Sequence, residues 1–398
     1  MKSVNFIFIL AVFFATIGGV SSDLYLPSLP AIAHSLHTSV SLTQLSVALF
    51  MLGLSFARLI VAIVSDAFGR KNPLMISLLI CLVGCACCLF ATNIYVLLVG
   101  RLLQGFGAGG SNILGRVILR DGVPSNLLAK YMSYFSMIGI TLMSAAPFIG
   151  GYIERYFNWR VSFVILLIYT VTALIVSIFL LPETNKFKNT DNLKLSFLKT
   201  NLKTLFVEPT FIISALFLAI GYGSLVAWLT AGPIILQKVL LLSPVTFGWC
   251  AALIGFCYFL AAFTNSKLVN RFAIHKIQRF GIWCFFAGGI MLLIPSLFFH
   301  YISLAAFILP LMLAIYGLGL LVPNSYVVGL IPFAKIAGIA AAVLSFIQVI
   351  GAFITSTIIS LSPNRNQMPV GLILCVGGFI CLILIRFLKK TRLKLKSV

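Results

Sequence analysis

Residues 161–181 read VSFVILLIYTVTALIVSIFLL, a run of twenty-one positions without a charged side chain. A transmembrane helix needs about 20 predominantly apolar residues, so this stretch is long enough to cross a bilayer. Its apolar residues are continuous and do not alternate with polar ones, which is typical of a spanning helix and argues against a β-barrel strand. The stretch therefore predicts a membrane helix.

The rest of the chain repeats this pattern. Of 398 residues, 61% are hydrophobic and 9% are charged, whereas a soluble domain has about a quarter of its residues charged. Soluble proteins are therefore excluded. The first apolar stretch of the chain, at 4–26, is too long for the hydrophobic region of a signal peptide. We predict an all-α integral membrane protein with twelve transmembrane helices, at approximately 4–26, 41–64, 74–92, 94–119, 129–153, 161–181, 210–233, 244–268, 280–299, 302–331, 336–361 and 370–388.

The net charge of +21, from 28 Lys and Arg against 7 Asp and Glu, would in a soluble domain indicate nucleic-acid binding. In a membrane protein it indicates topology, because Lys and Arg concentrate in cytoplasmic loops. With both termini inside, 21 of these cations lie on the inner side and four on the outer side. Three lie within spans: Arg58, Arg101 and Arg116. We expect the lipid bilayer, and no nucleic acid, as the partner.

The longest connection, 182–209, divides the chain into an N-terminal half (1–181) and a C-terminal half (210–388), followed by a basic cytoplasmic tail (389–398). Two halves of six spans are the architecture of secondary transporters. Within the connection, leucines recur at helical spacing with lysines between them. This pattern is consistent with an amphipathic helix on the inner leaflet or with a solvated linker.

Asp23 is the only carboxylate predicted to lie inside a span, with Glu154 placed in an outer turn and the other five acids in cytoplasmic segments. Intramembrane carboxyls are functional by default. Burial disfavours their charged form, so Asp23 could exchange a proton near neutral pH. The alternative is that Asp23 stays hydrated near the outer interface.

Two arginines within spans require polar partners. Arg101 in the fourth span can bond the carbonyls of a neighbouring span and bias the proton affinity of Asp23 through space. Arg58 in the second span can either reach the cytoplasmic interface or line a cavity.

Polar and aromatic side chains inside spans are candidates for the wall of a substrate cavity. An apolar, aromatic cavity suits lipophilic neutral or cationic compounds better than sugars, which need many hydrogen bonds. Such side chains also hold helices together. The candidates are Tyr25, Gln104, Asn112, Tyr134, Tyr222, Trp228, Tyr316, Asn324 and Gln348.

The loop SDAFGRK at 65–71 resembles the signature loop between spans two and three of the major facilitator superfamily. The resemblance implies the major facilitator fold, with an inner-side conformational latch formed by Asp66, Gly69, Arg70 and Lys71 together with Arg120 and Asp121. The sequence departs from the signature at Ala62 and Ala67, where the family carries Gly and Arg.

Four further segments resemble the Bcr/CflA-type drug:proton antiporters of that superfamily: DLYLPSLP at 23–30, GRLLQG at 100–105, RVILRD at 116–121 and APFIGG at 146–151. The resemblance implies a monomeric efflux protein of the bacterial inner membrane that exchanges protons for small, mainly hydrophobic drugs. The coupling ion would be the proton, with no cofactor.

The fifth-span motif has a physical meaning of its own. Pro147 removes a helical hydrogen bond and, with Gly139, Gly150 and Gly151, lets the helix bend and pack closely. In antiporters similar motifs are taken to seal the interface between the halves, and the alternative is a generic kink.

Other functions are less well supported. The nine cysteines lie in apolar spans without metal-ligand spacing, and no His-based catalytic constellation is visible, so we expect no metal site. A multispan membrane enzyme would need such a cluster, and a channel would need a filter or a charged ring. A major facilitator carrier for an endogenous metabolite remains the main alternative.

Overall fold

The computed structural model describes residues 4–185, 195–299, 302–363 and 366–395, which are helical almost throughout. The N-terminal helices are α1 (Val4–Asp23), α2 (Leu29–Ser35), α3 (Val40–Phe68), α4 (Lys71–Leu89), α5 (Ile94–Gly122), α6 (Ser125–Tyr156) and α7 (Trp159–Phe179). A short helix α8 (Leu195–Val207) follows. The C-terminal helices are α9 (Pro209–Ile234), α10 (Pro244–Leu268), α11 (Ile274–Ile294), α12 (Leu304–Leu330), α13 (Ala337–Leu361) and α14 (Met368–Leu395).

Eleven of the described helical segments are long and apolar enough to cross a membrane. The first of these runs from Val4 to Ser35 and so includes both α1 and α2. The twelfth predicted span is α5, which has 29 residues but is less apolar because it carries glycines, arginines and a glutamine. The predicted all-α membrane fold is confirmed.

The chain forms two compact units, Met1–Lys199 and Thr200–Val398. In the first unit, α5 packs against α1, α3 and α4, while α6 packs on α1 and α7 on α4. In the second unit, α12 packs against α9, α10 and α11, while α13 packs on α9 and α14 on α11. The boundary falls within α8, and the finer domain limits given above stay a prediction.

Equivalent helices of the two units begin with the same local interaction. Ser39 and Ser243 cap α3 and α10, and Asn93 and Ser303 cap α5 and α12. In each case the side-chain oxygen accepts a backbone N–H of the first helical turn, which would otherwise lack a partner. The shared pattern is what an internal repeat predicts.

Glycines place α5 at the centre of the first unit. A Cβ atom at Gly105 would overlap the backbone of Phe50 in α3, and one at Gly107 would overlap the backbone of Cys81 in α4. Small residues allow such close backbone approach between membrane helices. As a result α5 is buried on two sides, and its polar residues lie inside the unit.

Several helices extend beyond the predicted spans. Asp66, Asp121 and Glu154, which we placed in loops or turns, lie in the last turns of α3, α5 and α6. The extension costs little, because a helix satisfies its own backbone hydrogen bonds and charged side chains at its ends reach polar surroundings. Residues 186–194 of the predicted linker and 396–398 of the predicted tail lie outside the described residues.

Candidate functional site

Arg101 is completely buried in the first unit. Its Nη1 donates hydrogen bonds to the backbone oxygen of Ser21, at 3.0 Å, and to Oε1 of Gln104. The guanidinium carbon lies 4.0 Å from the ring centroid of Tyr25 and 4.1 Å from that of Phe50. The cation is thus stabilised by two aromatic faces and by the α1 backbone.

Asp23 is the last residue of α1 and is only 4% exposed. Its Oδ1 accepts a hydrogen bond from the Ser22 hydroxyl. The residues that follow Asp23 stay buried through Leu26–Ser28 and into α2. The carboxyl is therefore not at an exposed surface, contrary to the alternative of a hydrated Asp23. The buried position is the one that proton exchange would require.

Asp23 and Arg101 lie close together without direct contact. Their two side chains form no ion pair among the described residues. Arg101 is bonded to the carbonyl of Ser21, two residues before Asp23. The α1 backbone therefore fixes the cation near the carboxyl without neutralising it by direct contact.

Four of the candidate cavity residues are buried within helix packing. Tyr25 bonds Ser46 at 3.0 Å, and Gln104 bonds Arg101 and the sulfur of Cys85. Trp228 packs on Phe247 and Phe307, and Asn324 donates to Asn265 at 2.7 Å. These four side chains are buried in contacts between helices, because the same chemistry that recognises ligands also joins helices, and their role as a cavity wall stays a prediction.

The other five candidates are more accessible. Tyr134 is 43% exposed, and the remaining four are partly buried: Asn112, Tyr222, Tyr316 and Gln348. Their role as a cavity wall stays a prediction.

Arg58 does not reach for the cytoplasmic interface. Its Nη2 donates to Oδ1 of Asn112 at 3.1 Å, and Asn112 donates in turn to the backbone oxygen of Ala15 at 2.8 Å. Arg58 lies ten residues before the end of α3, about 15 Å along the helix axis. This chain of hydrogen bonds joins α3, α5 and α1 deep in the unit, so the snorkelling alternative is not what the structure shows.

Arg70 is the centre of the predicted latch. It donates to Asp66 at 2.6 Å, to Asp121 at 2.9 Å and to the Ser65 hydroxyl at 2.8 Å. Its side chain is 5% exposed, against 16% for Asp121 and 37% for Asp66. The cluster therefore joins the C-terminal ends of α3 and α5 to the start of α4.

Two predicted latch residues lie at the edge of this cluster. Lys71 Nζ donates to the backbone oxygen of Ile178 at 2.8 Å, and Arg120 is half exposed and 3.4 Å from Asp121. Gly69 ends α3 with φ of 99°, a conformation that favours glycine. The turn thus needs Gly69, whereas Lys71 and Arg120 contribute less to the ion pairs than we expected.

Sequence reasoning missed the contribution of Glu183 and Asn185. The Glu183 carboxylate accepts the backbone N–H of Arg70 at 2.9 Å and that of Lys71 at 3.3 Å, which caps α4. Asn185 donates to the backbone oxygens of Ser65 and Asp66. Glu183 lies in the segment LPET at 181–184, and its partner is more than a hundred residues away in sequence.

The glycines of the fifth-span motif differ in how closely neighbouring chain approaches them. A Cβ atom at Gly150 would overlap the backbone oxygen of Leu24, whereas one at Gly139 would meet nothing within 4 Å. Pro147 lies inside the continuous helix α6, and Gly151 is buried. Gly150 therefore packs closely on the residue that follows α1, whereas Gly139 has no such neighbour, and the role of both glycines in the motif stays a prediction.

The cysteines do not gather into a metal site. All nine are free thiols, and no group of three or more His, Cys, Asp or Glu that could hold a metal ion occurs in the described part of the chain. On α4, Cys81 and Cys85 lie 3.8 Å and 3.9 Å from the Thr170 hydroxyl. They pack as small side chains between helices.

The chain is similar in sequence to known bacterial transporters. The chain is 24% identical over 379 residues to multidrug resistance protein D of Escherichia coli (strain K12), covering 95% of this chain and 94% of that protein. It is 28% identical over 280 residues to a bicyclomycin resistance protein homolog of Haemophilus influenzae, covering 69% of each. It is also 26% identical over 370 residues to the uncharacterized MFS-type transporter YdgK of Bacillus subtilis, covering 92% and 91%. The resemblance to Bcr/CflA-type proteins is confirmed.

Solved structures show the same fold. The partially occluded inward-open xylose transporter XylE from E. coli superimposes with a TM-score of 0.75 at 13% identity, covering 98% of both chains. A D-xylose-proton symporter superimposes with a TM-score of 0.72 at 16% identity, covering 96% and 97%. At these identities the likeness concerns the fold alone.

The family model of the Major Facilitator Superfamily matches residues 7–354, most of the chain. Proteins of this family are multi-pass membrane transporters that handle small molecules, which excludes the alternative of a multispan enzyme. The chain belongs to the Major Facilitator Superfamily.

Proposed function

We propose that this transporter is a proton-coupled antiporter that exports small, mainly hydrophobic drugs or toxic compounds by alternating access. The names of its relatives, which include bicyclomycin resistance and multidrug resistance proteins, support a role in drug efflux. The observation that carries proton coupling is the buried Asp23 beside the fixed cation Arg101.

In the proposed cycle, Asp23 takes up a proton from the outer side and releases it to the inner side as substrate enters. Burial favours the neutral carboxyl, and the positive charge of Arg101 favours the carboxylate. Because Arg101 is held by Ser21 and by two rings, it does not follow the proton and stays a constant electrostatic bias. The coupling ion is the proton, and no cofactor takes part.

The Arg70 cluster is the proposed latch on the inner side. Its ion pairs and the Glu183 cap hold the inner ends of α3, α4, α5 and the segment after α7 in one arrangement. A change of conformation in the first unit has to loosen these contacts. The latch would therefore set how readily the transporter leaves one state.

We place the protein in the bacterial inner membrane as a monomer, with both termini in the cytoplasm. The 21-to-4 distribution of Lys and Arg between the two sides supports this orientation of the termini. A reporter enzyme that is active on only one side of the membrane, fused in turn to each terminus, tests this orientation.

The test of function is drug-driven proton exchange in everted inner-membrane vesicles. Vesicles with the wild-type protein should lose protons from the lumen when a substrate dye or antibiotic is added, and Asp23→Asn should abolish both this exchange and dye accumulation. Glu208→Gln, which alters an acid at the start of α9, is the control and should leave both intact. If Asp23→Asn leaves transport and its pH dependence unchanged, the mechanism is wrong.

The same vesicles separate efflux from the metabolite-carrier alternative. A drug exporter should move several unrelated lipophilic compounds into the lumen of everted vesicles. A carrier for one metabolite would move a single chemical class and ignore the others.

A further inference from the structure

Glu154 is a second carboxyl at the outer end of the first unit. It lies in the last turn of α6, two residues before the helix ends at Tyr156, and its side chain is partly buried. Its Oε2 atom is buried and has no hydrogen-bond partner in the described part of the chain. The proposed cycle, which needs only Asp23 and Arg101, gives this carboxyl no role.

The packing of α6 on α1 directs Glu154 toward the segment that follows Asp23. Gly150, one helical turn before Glu154, is in backbone contact with Leu24. Residues four apart lie on one face of a helix, so Glu154 extends the same face outward. Its carboxyl lies near the Ser28 hydroxyl but forms no hydrogen bond with it. In the chain, the segment 24–27 separates Ser28 from Asp23.

Buried polar atoms without partners concentrate around this segment. Five of the thirteen such side-chain atoms in the described residues belong to four side chains here. They are Oγ of Ser21, Oγ of Ser28, Nε and Nη2 of Arg101, and Oε2 of Glu154. Buried polar groups are normally satisfied, and where the protein offers no partner, ordered water bridges them. The residues around positions 24–28 thus form a polar cluster whose unpaired atoms are of the kind that ordered water normally satisfies.

The charged and titratable groups of this cluster come from three elements. Asp23 and Tyr25 lie at the end of α1 and just after it, Arg101 comes from α5, and Glu154 comes from α6. Arg155, the neighbour of Glu154, is exposed. Of the two carboxyls of this cluster, Glu154 is thus the one that is partly exposed, whereas Asp23 is only 4% exposed.

We propose that Glu154 is the outer proton-binding site of the transporter, which receives protons from the outside and passes them to Asp23 through water and the Ser28 hydroxyl. This inference rests on the proposed proton coupling. In each transfer the Glu154 carboxylate gains a proton from hydronium, returns to the carboxylate as a neighbouring water or hydroxyl accepts that proton, and Asp23 ends as the neutral acid. No bond other than O–H changes.

The test compares proton exchange in everted vesicles in which the pH of the lumen, the original outer side, is set independently. With Glu154→Gln we expect drug-driven proton release to slow by about 100-fold at low lumenal proton concentration, the lower end of what a positioned acid or base contributes. The defect should shrink as the lumen is acidified, since hydronium then reaches Asp23 directly. Glu154→Asp should restore much of the rate, and the matched neighbour Arg155→Gln should behave as wild type.

A second measurement separates proton relay from a structural role. Exchange of labelled for unlabelled substrate across the membrane involves no net proton movement, so it should stay normal in Glu154→Gln. Infrared difference spectra of the purified wild-type protein between acid and neutral pH should contain a carboxylic C=O band that Glu154→Gln removes.

Each opposite result is informative. Wild-type proton exchange by Glu154→Gln at every lumenal pH overturns the inference, as does the loss of substrate exchange together with proton exchange. Absence of proton exchange in the wild-type protein, or full activity of Asp23→Asn, instead refutes the proposed function itself.

Discussion

Glu183 caps the start of α4 by accepting the backbone N–H of Arg70 at 2.9 Å and 3.1 Å from its two carboxylate oxygens, across 113 positions of sequence. The same arginine uses its side chain to bind Asp66 and Asp121. Backbone and side chain of one residue are thus held by acids from three different segments. Arg70 thus links the ends of α3 and α5, the start of α4 and the segment after α7.

The Glu183 cap predicts that replacing Glu183 destabilises the protein more than replacing Glu208. Glu183→Ala should lower the stability of the purified protein by about 1 kcal/mol, the usual loss on removing a helix cap. Glu208 is the matched control, because it caps α9 through one N–H of Thr210 at 3.3 Å. Thermal unfolding in detergent should show a larger drop for Glu183→Ala than for Glu208→Ala, and equal drops would contradict the structural importance of this cap.

The two carboxylates on Arg70 should contribute unequally. Asp121→Asn removes the more buried partner, 16% exposed, and should cost about 1–3 kcal/mol, since it weakens the satisfaction of a buried cation. Asp66 is 37% exposed, so solvent screens its ion pair and Asp66→Asn should cost less, about 0–1 kcal/mol. Unfolding midpoints and dye efflux measured on both variants check which substitution has the larger effect. A larger effect of Asp66→Asn would contradict the prediction.

Arg101→Lys should fail although it keeps the charge. A lysine lacks the planar guanidinium that lies between the rings of Tyr25 and Phe50, and each cation–π contact of this kind is worth about 0.5–2 kcal/mol. We expect impaired proton-coupled efflux and reduced stability. Arg116→Lys is the control, because that side chain is exposed and its guanidinium carbon lies 5.9 Å from the ring centroid of Phe135. Normal efflux by Arg101→Lys would show that charge alone suffices.

The glycines of α6 should differ sharply in tolerance. Gly150→Ala forces α6 away from the carbonyl of Leu24 and should destabilise the protein by about 1–3 kcal/mol, as overpacking does. Gly139→Ala meets open space and should be neutral or stabilising by up to about 1 kcal/mol, because alanine favours the helix. Expression level and thermal unfolding provide the measurement, and a Gly139→Ala defect as large as that of Gly150→Ala would contradict the packing.

Much of the architecture was predictable because membrane helices obey local rules. Twenty apolar residues must form a helix wherever water is absent, so runs such as 161–181 specify their own structure. The ends of the helices were less predictable, since polar residues such as Glu154 can continue a helix into the interface. Because Glu154 was placed in a turn, the sequence did not indicate that its carboxyl packs beside the segment after Asp23.

The candidate site residues were likewise only partly predictable from the sequence. Asp23 and Arg101 stood out in the sequence because charge is rare and costly in a span. Nothing local indicated that Tyr25, Gln104, Trp228 and Asn324 would be buried as helix contacts, because the same polar or aromatic side chain serves packing or recognition according to what lies opposite.

The sequence by itself determined that this chain spans the membrane many times, which residues are charged within it, and which family motifs it carries. These properties follow from hydrophobicity and helix length, which are functions of neighbouring residues. Only the tertiary structure decided that Glu183 caps α4 at Arg70, that Arg58 bonds Asn112 and that α6 contacts Leu24 at Gly150. Such partners depend on how distant helices approach each other, and that approach is set by glycine contacts and packing across the whole unit.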